Sequence, residues 1–351
     1  MRTWHLHKWI NRILTSVVLV ALVCGFTSCG AVYEDQSGCA IRYRVAFRFV
    51  KNVLQADAFG SQVTDVHLNI YDKSGKLVFT KSESRKVSEI NDYFMEVEVV
   101  PGTYDLVAWC DGESLAPDAV SFRLGDGSVM SGFDAVLPLS GTAQAPVSSS
   151  DIRRLFHGMS ADVNFPEVWG MTTVGPVYLT RDTNHLSVLL QNVDGYPLDP
   201  SAFTFEITGD NNRLSWRNDV LPTSDSFVYT PWSIEQTWAS FDRPDGRGTM
   251  EDPEIPAGVL AEFTTSRLMA DMPQRLTVRL AATGEEVLSI PLIKYLLLVK
   301  GKYNKIDGDQ NYLDCYDDFT MMFFVGEGMT WIKTRIYING WRIVPPQDEE
   351  L

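Results

Sequence analysis

The sequence predicts an all-β protein with two β-sandwich domains, and three observations support this fold class. Apolar and polar residues alternate with a period of two along many segments, as they do in half-buried strands. Gly, Pro, Asn and Asp mark turns between these segments about every 8–12 residues, which is typical of sandwiches and barrels. The chain has 351 residues, 45% of them hydrophobic and 11% aromatic, so it is long enough for roughly two domains with packed cores.

The first half of the chain shows the alternation most clearly. Residues 41–49 place apolar side chains at every second position and arginines between several of them, which predicts a strand. Residues 65–70 alternate in the same way, and the turn Asp72–Gly75 leads into 76–81, which predicts a β-hairpin. Further strands are predicted at 93–100, 103–110, 119–124 and 133–139.

A change of composition separates the two halves. Residues 140–150 are the most linker-like stretch of the chain, and a long loop of the first sandwich is the alternative for them. We place the domain boundary between 165 and 170, which gives domains at 39–165 and 170–351.

The second half repeats the strand pattern around a less regular region. Residues 209–258 hold many Asp, Asn, Pro and Gly and are predicted to be rich in loops, and a short helix is predicted after Pro291. Asn339-Gly340 predicts a tight hairpin turn near the end of the chain. The predicted strands are 177–179, 185–193, 203–208, 226–229, 259–264, 275–281, 286–290, 318–325, 332–338 and 341–344.

Residues 1–28 have the features of a lipoprotein export signal. They begin with a basic stretch, continue with an apolar run shorter than the about 20 residues of a membrane span, and end in small residues before Cys29. This pattern predicts cleavage between Ser28 and Cys29 and attachment of acyl chains to the Cys29 thiol. Residues 29–38 would then form a polar tether. An ordinary secretory signal, with Cys29 incidental, is the alternative.

The charge of the chain excludes one class of partner. The chain carries 30 Lys and Arg against 45 Asp and Glu, which gives a formal net charge of −15. Nucleic-acid phosphates repel such a surface, so a nucleic-acid partner is excluded. Removal of the signal takes away three basic residues and no acid, so the net charge becomes −18. Attachment to an anionic membrane must then come from lipid rather than from charge.

Motifs for catalysis and metal binding are weak. The sequence lacks a G-x-S-x-G elbow, an H-E-x-x-H motif, a Walker A loop and a dinucleotide fingerprint, and His67, His157 and His185 are far apart along it. Residues 307–318 carry oxygen-bearing side chains at alternate positions, as a calcium loop does, but Tyr312 stands where that loop needs Gly. We predict no catalytic residue, no metal and no cofactor, and leave open whether 307–318 binds calcium.

The cysteines fit a protein of the cell envelope. Cys39, Cys110 and Cys315 remain beside Cys29 after removal of the signal. The periplasm permits disulfides, and three thiols allow one pair, which the sequence alone does not choose. A disulfide between Cys39 and Cys110 is carried forward as a hypothesis.

Several segments occur in an order that resembles a known family. They are the lipoprotein signal with a second cysteine at Cys39, the strand 41–49, the hairpin 66–75, Pro101–Trp109 (PGTYDLVAW), Gly175–Arg181 (GPVYLTR) and Ile336–Trp341 (IYINGW). Together they resemble the FimB-type fimbrial anchor subunits of Bacteroidales, the fimbrillin-associated anchor lipoproteins. The resemblance spans nearly the whole chain and implies two tandem transthyretin-like β-sandwiches. It also implies a non-catalytic subunit that tethers a fimbrial shaft to the outer membrane and limits its length.

The resulting hypothesis is a surface-exposed lipoprotein of the outer membrane whose partners are fimbrial shaft subunits. Strand addition at an exposed sheet edge would suit such a partner, because backbone hydrogen bonds give affinity and side-chain pockets give specificity. A shaft or tip subunit of the same fimbrial system is one alternative. A surface glycan-binding lipoprotein is the other, with Trp216, Trp232 and Trp238 in the loop-rich region as sugar-stacking residues.

Overall fold

β-Strands dominate the structure, a computed structural model that describes residues 40–221, 226–239, 255–302 and 306–343. The longest α-helix in this part of the chain has seven residues. This confirms the all-β class predicted from the period-two alternation.

The first half of the chain contains strands β1 to β11 and helix α1. Their bounds are β1 Ile41–Arg48, α1 Phe59–Gln62, β2 Val63–Tyr71, β3 Leu77–Ser84, β4 Phe94–Val97, β5 Gly102–Gly112, β6 Arg123–Leu124, β7 Ala135–Val136, β8 Ser140–Thr142, β9 Ala145–Ser148, β10 Leu155–Phe165 and β11 Gly170–Arg181. The predicted strands 119–124 and 133–139 shrink to the two-residue strands β6 and β7, because loops without a sheet partner fill the rest.

The second half contains strands β12 to β22 and helices α2 and α3. Their bounds are β12 Thr183–Asn192, β13 Phe203–Gly209, β14 Arg213–Leu214, β15 Phe227–Tyr229, β16 Ser233–Ala239, β17 Ile255–Ser266, β18 Arg275–Leu280, β19 Glu286–Pro291, α2 Leu292–Leu297, α3 Asp309–Cys315, β20 Asp318–Val325, β21 Trp331–Ile338 and β22 Trp341–Ile343. The helix predicted after Pro291 is confirmed as α2. Strand β16 and helix α3 were not predicted.

A seven-stranded sheet in the order β3-β2-β5-β10-β11-β1-β4 forms the first half. Its two outer strands come close enough to share contacts, so the sheet curls toward closure. Lys81 Nζ of β3 donates to the Glu96 carbonyl of β4 at 3.0 Å, and Tyr93 OH donates to Glu83 Oε2 at 2.8 Å. These contacts cover an edge that would otherwise be open to another strand.

Strand β5 is buried on both faces, whereas a strand of a half-buried sheet has one face in contact with solvent. Leu106, Ala108 and Cys110 alternate with Val107 and Trp109, and all are fully buried. Adjacent residues of a strand point to opposite faces, so both sides of this strand lie in apolar surroundings. The Trp109 side of the sheet joins the core of the second half.

Two six-stranded sheets form the second half as a sandwich. One has the order β16-β17-β12-β20-β21-β22, and the other has the order β19-β18-β13-β15-β9-β8. Inward-facing residues of both sheets, among them Val188 in β12 and Val278 in β18, belong to one hydrophobic core. A three-stranded sheet, β14-β7-β6, lies beside them.

The linker predicted at 140–150 is wrong, because this stretch forms a hairpin. Strands β8 and β9 pair antiparallel, and β9 pairs parallel with β15 of the second half. Strand β14 of the second half likewise pairs with β7 of the first half. Each half therefore completes a sheet of the other, which composition alone could not reveal.

The domain boundary at 165–170 falls between two neighbouring strands. Strand β10 ends at Phe165 and pairs antiparallel with β11, in the same seven-stranded sheet. By backbone contacts, the described residues of 42–167 and of the chain from 172 onward form one compact unit, and residues 40, 41 and 168–171 belong to another. The division into domains at 39–165 and 170–351 stays a prediction.

Candidate functional site

Five polar residues meet where the two halves of the chain join, and we call them the junction cluster: Lys51, Asp182, Asn218, Arg267 and Asp314. The Asp314 carboxylate lies at the centre. Its Oδ2 accepts hydrogen bonds from Lys51 Nζ at 2.6 Å and Arg267 Nη2 at 2.8 Å, and its Oδ1 accepts from Arg267 Nε at 3.0 Å. Only 2% of the Asp314 side chain is exposed.

Helix α3 places Asp314 in the cluster. Gln310, one turn earlier on the same helix, donates from Nε2 to Asp314 Oδ1 at 2.8 Å and to the Leu268 carbonyl at 3.1 Å. Burial alone would raise the pKa of Asp314, but the hydrogen bonds and charges of Arg267 and Lys51 lower it overall. Asp314 is therefore an ionised carboxylate with both oxygens in use.

Asp182 is the second acid of the junction cluster, and it is fully buried. Asn218 Nδ2 donates to its Oδ1 at 2.8 Å, and Arg267 Nε lies 3.8 Å from the same oxygen. Burial raises the pKa of Asp182 to about 7, although Arg267 and Asn218 lower it. The residue occupies the single position between the end of β11 and the start of β12.

The junction cluster acts as a cross-link. Lys51 and Asp314 are 263 residues apart in sequence, so their ion pair ties the first half to the last helix of the chain. The cluster has two acids and two bases, and it holds no nucleophile beside a free base. Its geometry supports mechanical coupling of the two halves rather than a reaction.

The three histidines predicted to be non-catalytic have separate structural partners. His185 lies between two carboxylates, with Nε2 2.5 Å from Glu262 Oε2 and Nδ1 3.1 Å from Asp318 Oδ1. Burial alone would lower the pKa of His185, but the hydrogen bonds and charges of the two carboxylates raise it to about 9. The ring is thus protonated at neutral pH, so it is not a general base.

His157 and His67 are engaged elsewhere. His157 is buried, donates from Nε2 to the Trp216 carbonyl at 2.9 Å and lies 4.5 Å from the Trp109 ring. Burial lowers the pKa of His157 to about 4, so the ring is neutral. His67 Nδ1 is hydrogen-bonded to Ser82 Oγ at 2.7 Å.

Residues 307–318 do not form the loop that a calcium site needs. Most of the segment is helix α3, and its acids have different partners: Asp309 binds Lys300, Asp314 lies in the junction cluster, and Asp318 binds His185. Within the described residues, no group of three or more His, Cys, Asp or Glu side chains could hold a metal ion.

The predicted lipid and disulfide positions are only partly covered by the structure. Ser28, Cys29 and Cys39 lie outside the described residues, so lipidation and the Cys39–Cys110 pairing stay predictions. Cys110 is a buried thiol, and burial raises its pKa well above the usual value. Cys315 is also a buried thiol, at the end of α3.

Two of the three tryptophans proposed as sugar-stacking residues have described side chains, and these contact different neighbours. Trp216 packs partly against the core, and the Arg217 guanidinium lies 4.4 Å from its ring centroid. Trp232 is half-buried, with its ring 6.5 Å from that of His185. The side chain of Trp238 lies outside the described residues. These contacts favour packing roles for Trp216 and Trp232.

Open sheet edges are the second candidate for function. Within the described part of the chain, β16, β22, β19 and β8 each pair with a strand on one side only. Strand β16 is the longest of these at seven residues, and Ile234 and Glu235 on it are exposed. An edge of this kind presents backbone N–H and C=O groups to a strand of another chain.

Sequence patterns did not reveal the junction cluster. Lys51 and Arg267 follow strands and Asp182 lies between two strands, so each looks like an ordinary surface residue. The one feature they share is a charged side chain near the end of a strand. That feature is too common to identify a site without contacts between distant segments.

None of the helices in the described residues is both long enough and apolar enough to span a membrane. The family model for fimbrillin-A associated anchor proteins Mfa1 and Mfa2 matches residues 36–345. No curated protein sequence matches the chain.

Solved structures share the fold over most of the chain. A candidate adhesin of Bacteroides thetaiotaomicron is 30% identical, with a TM-score of 0.68 over 86% of this chain and 97% of its own. A candidate polysaccharide-binding protein of the same species is 27% identical, with a TM-score of 0.72 over 89% and 100%. The fimbrial anchor protein Mfa2 of Porphyromonas gingivalis is 18% identical and shares the fold, with a TM-score of 0.59 over 86% and 98%.

These matches confirm the predicted fold class and the resemblance to fimbrial anchor subunits. The family model spans nearly all of the described strands, from before β1 to after β22. Its members are fimbrial anchors at the cell envelope, and their role is structural rather than enzymatic. The chain belongs to the family of fimbrillin-A associated anchor proteins.

Proposed function

We propose that this chain is a lipid-anchored subunit of the outer membrane that tethers a fimbria to the cell surface and limits its length. The family match over residues 36–345 carries the proposal. That match begins seven residues after Cys29, so a lipid on Cys29 would precede all of the matched residues. More than one acyl chain on a single cysteine gives stable attachment, whereas one chain is marginal.

Fimbrial shaft subunits are the proposed partners, and we assign their contact to the open edge of β16. Among the four open edges β16, β22, β19 and β8, β16 is the longest, and strand addition gains one backbone hydrogen bond after another along such an edge. The shorter edges β8 and β22, with three residues each, offer fewer bonds. An anchor that accepts a strand at one edge and offers no second polymerising surface would also end growth.

Replacement of the lipidated cysteine tests the anchor. In cells carrying Cys29→Ala, fimbriae should appear in the culture medium instead of on the cells, and the released fimbriae should vary more in length. Cys110→Ala is the matched control, because it removes a buried thiol and leaves the signal intact. Fimbriae that stay attached and of normal length in the Cys29→Ala strain would contradict the proposal.

A photo-crosslinking residue tests the contact edge. Placed at Ile234 in β16, which is 38% exposed, it should link the chain to a shaft subunit in assembled fimbriae. The control position is Glu286 in β19, whose side chain is 48% exposed on another open edge. Crosslinks from Glu286 but not from Ile234 would move the contact to the other sheet, while leaving the anchor proposal in place.

A further inference from the structure

The end of the β10–β11 connection and the start of β11 expose apolar side chains in a short stretch. Val168 is 53% exposed, Trp169 is 73% exposed and Met171 is 37% exposed. We call residues 168–171 the apolar loop. Gly170 has a φ of 96°, a conformation that Gly adopts without strain and other residues rarely adopt. Clustered apolar groups of this kind mark contact with another apolar phase or surface.

The apolar loop lies beside Ala40, the first residue that the structure describes. The Gly170 N–H donates to the Ala40 carbonyl at 3.0 Å, and both residues belong to the same compact unit. Ala40 directly follows the stretch that leads from Cys29. Even fully extended, the eleven residues from 29 to 39 span at most about 40 Å. A lipid on Cys29 would therefore keep the apolar loop within reach of the bilayer surface.

The chemistry of the loop suits that surface. Trp combines a large apolar ring with an N–H group, and it is enriched at the boundary between lipid tails and water. The mature chain is strongly acidic, so charge does not draw it to an anionic membrane. Any direct contact with lipid must therefore be apolar, and Val168, Trp169 and Met171 supply that contact.

We propose that the apolar loop inserts into the interfacial region of the bilayer that holds the acyl chains of Cys29. This inference rests on the proposed lipid at Cys29 and adds a second attachment to it. Two points of attachment restrict the orientation of the protein on the membrane more than one point does. The apolar loop is thus assigned to contact with lipid. The alternatives that the experiment below must exclude are contact with a second copy of the chain and contact with a partner protein.

Quenching by lipid tests the insertion. The full lipidated chain is incorporated into phosphatidylcholine vesicles in which part of the lipid carries bromine near the headgroup. Trp fluorescence of the wild type should be quenched, and Trp169→Phe should reduce the quenched fraction by more than half. Trp341→Phe is the matched control, since Trp341 is also exposed, at 46%, and should leave quenching unchanged. Trp169 is mostly exposed, so the variant keeps its fold.

Flotation of the vesicles separates this inference from the anchor. If the chain floats with the vesicles in a Cys29-dependent way but Trp169→Phe does not change quenching, the inference is overturned and the anchor stands. If the chain does not float at all, the anchor and the inference that rests on it both fail. If the emission of Trp169 shifts to the blue without vesicles as protein concentration rises, a second copy covers the loop and the bilayer is excluded.

Discussion

Removal of the central charge of the junction cluster tests how the two halves are joined. Asp314→Asn keeps the shape of the side chain and abolishes its charge. Lys51 is 32% exposed and can turn its ammonium group toward water. Arg267 is 12% exposed and would keep the Asn218 carbonyl and Asp182, which lies 3.8 Å away. Most of the lost stability should therefore come from the Arg267 guanidinium, which stays largely buried but has only the weaker partner Asp182.

The expected loss follows from that geometry. Loss of one partner of a buried ion pair typically costs about 3–5 kcal/mol, because the other charge stays desolvated. The freedom of Lys51 and the nearness of Asp182 reduce this, so we expect about 2–3 kcal/mol for Asp314→Asn. Without Asp314, the pKa of Asp182 should fall, since Asp314 is one of the charges that raises it.

Urea unfolding of the unlipidated chain measures this loss, with tryptophan fluorescence and circular dichroism as separate probes. Glu286→Gln is the control, because Arg279 and Glu286 form a pair at 3.5 Å with 41% and 48% of their side chains exposed. The control should change the free energy of unfolding by less than about 0.5 kcal/mol. The reasoning is refuted if Asp314→Asn costs no more than Glu286→Gln.

Three other substitutions test separate parts of the fold. Protonation of His185 stabilises the folded state, because its pKa is raised from near 6.5 to about 9. This stabilisation is fully present below pH 6.5 and is lost as the pH rises through 9. In urea titrations below pH 6.5, His185→Gln should lower the free energy of unfolding by about 1–2 kcal/mol, less than the full pKa shift implies because Asp318 is exposed. Gly158→Ala should lower the free energy of unfolding by about 1–3 kcal/mol, because a Cβ there would lie 2.6 Å from Val177 Cγ1. Thermal unfolding measures this loss, and Gly301→Ala is the control that should change it little, because a Cβ there would have no neighbour within 4 Å. Trp109→Phe should cost about 1–3 kcal/mol and weaken the near-UV circular dichroism, because the Trp109 indole donates to a buried carbonyl at 2.8 Å; an unchanged midpoint would count against that bond.

Local patterns predicted most strands because their causes are local. The alternation at 41–49 becomes β1, and Asn339-Gly340 becomes the turn between β21 and β22. Pro291 ends β19 and directly precedes α2, so it marks the change from strand to helix that the sequence predicted. Each of these features depends on a few adjacent residues, and the printed sequence contains all of them.

The missed features depend on segments that are distant in sequence. Residues 140–150 read as a linker because Ser, Gly and Ala have little preference for strands, yet β9 gains its partner from β15. Helix α3 was not predicted, because residues 307–318 resemble a calcium-binding loop rather than a helix. Its helical state is supported by Gln310 and Asp314, which face partners that are more than forty residues away along the chain.

The position of Asp182 explains why the two halves need a polar cross-link. The chain passes from the seven-stranded sheet to the sandwich of the second half through this one residue, between Arg181 of β11 and Thr183 of β12. A single residue between two sheets would act as a hinge if nothing held it. Asn218 and Arg267 contact its carboxylate. Arg267 also pairs with Asp314, and Asp314 pairs with Lys51 of the first half. If the proposed lipid at Cys29 and the proposed fimbrial contact on β16 both hold, tension between them would pass through this connection, and the junction cluster would add to the shared strand pairings that hold the halves together.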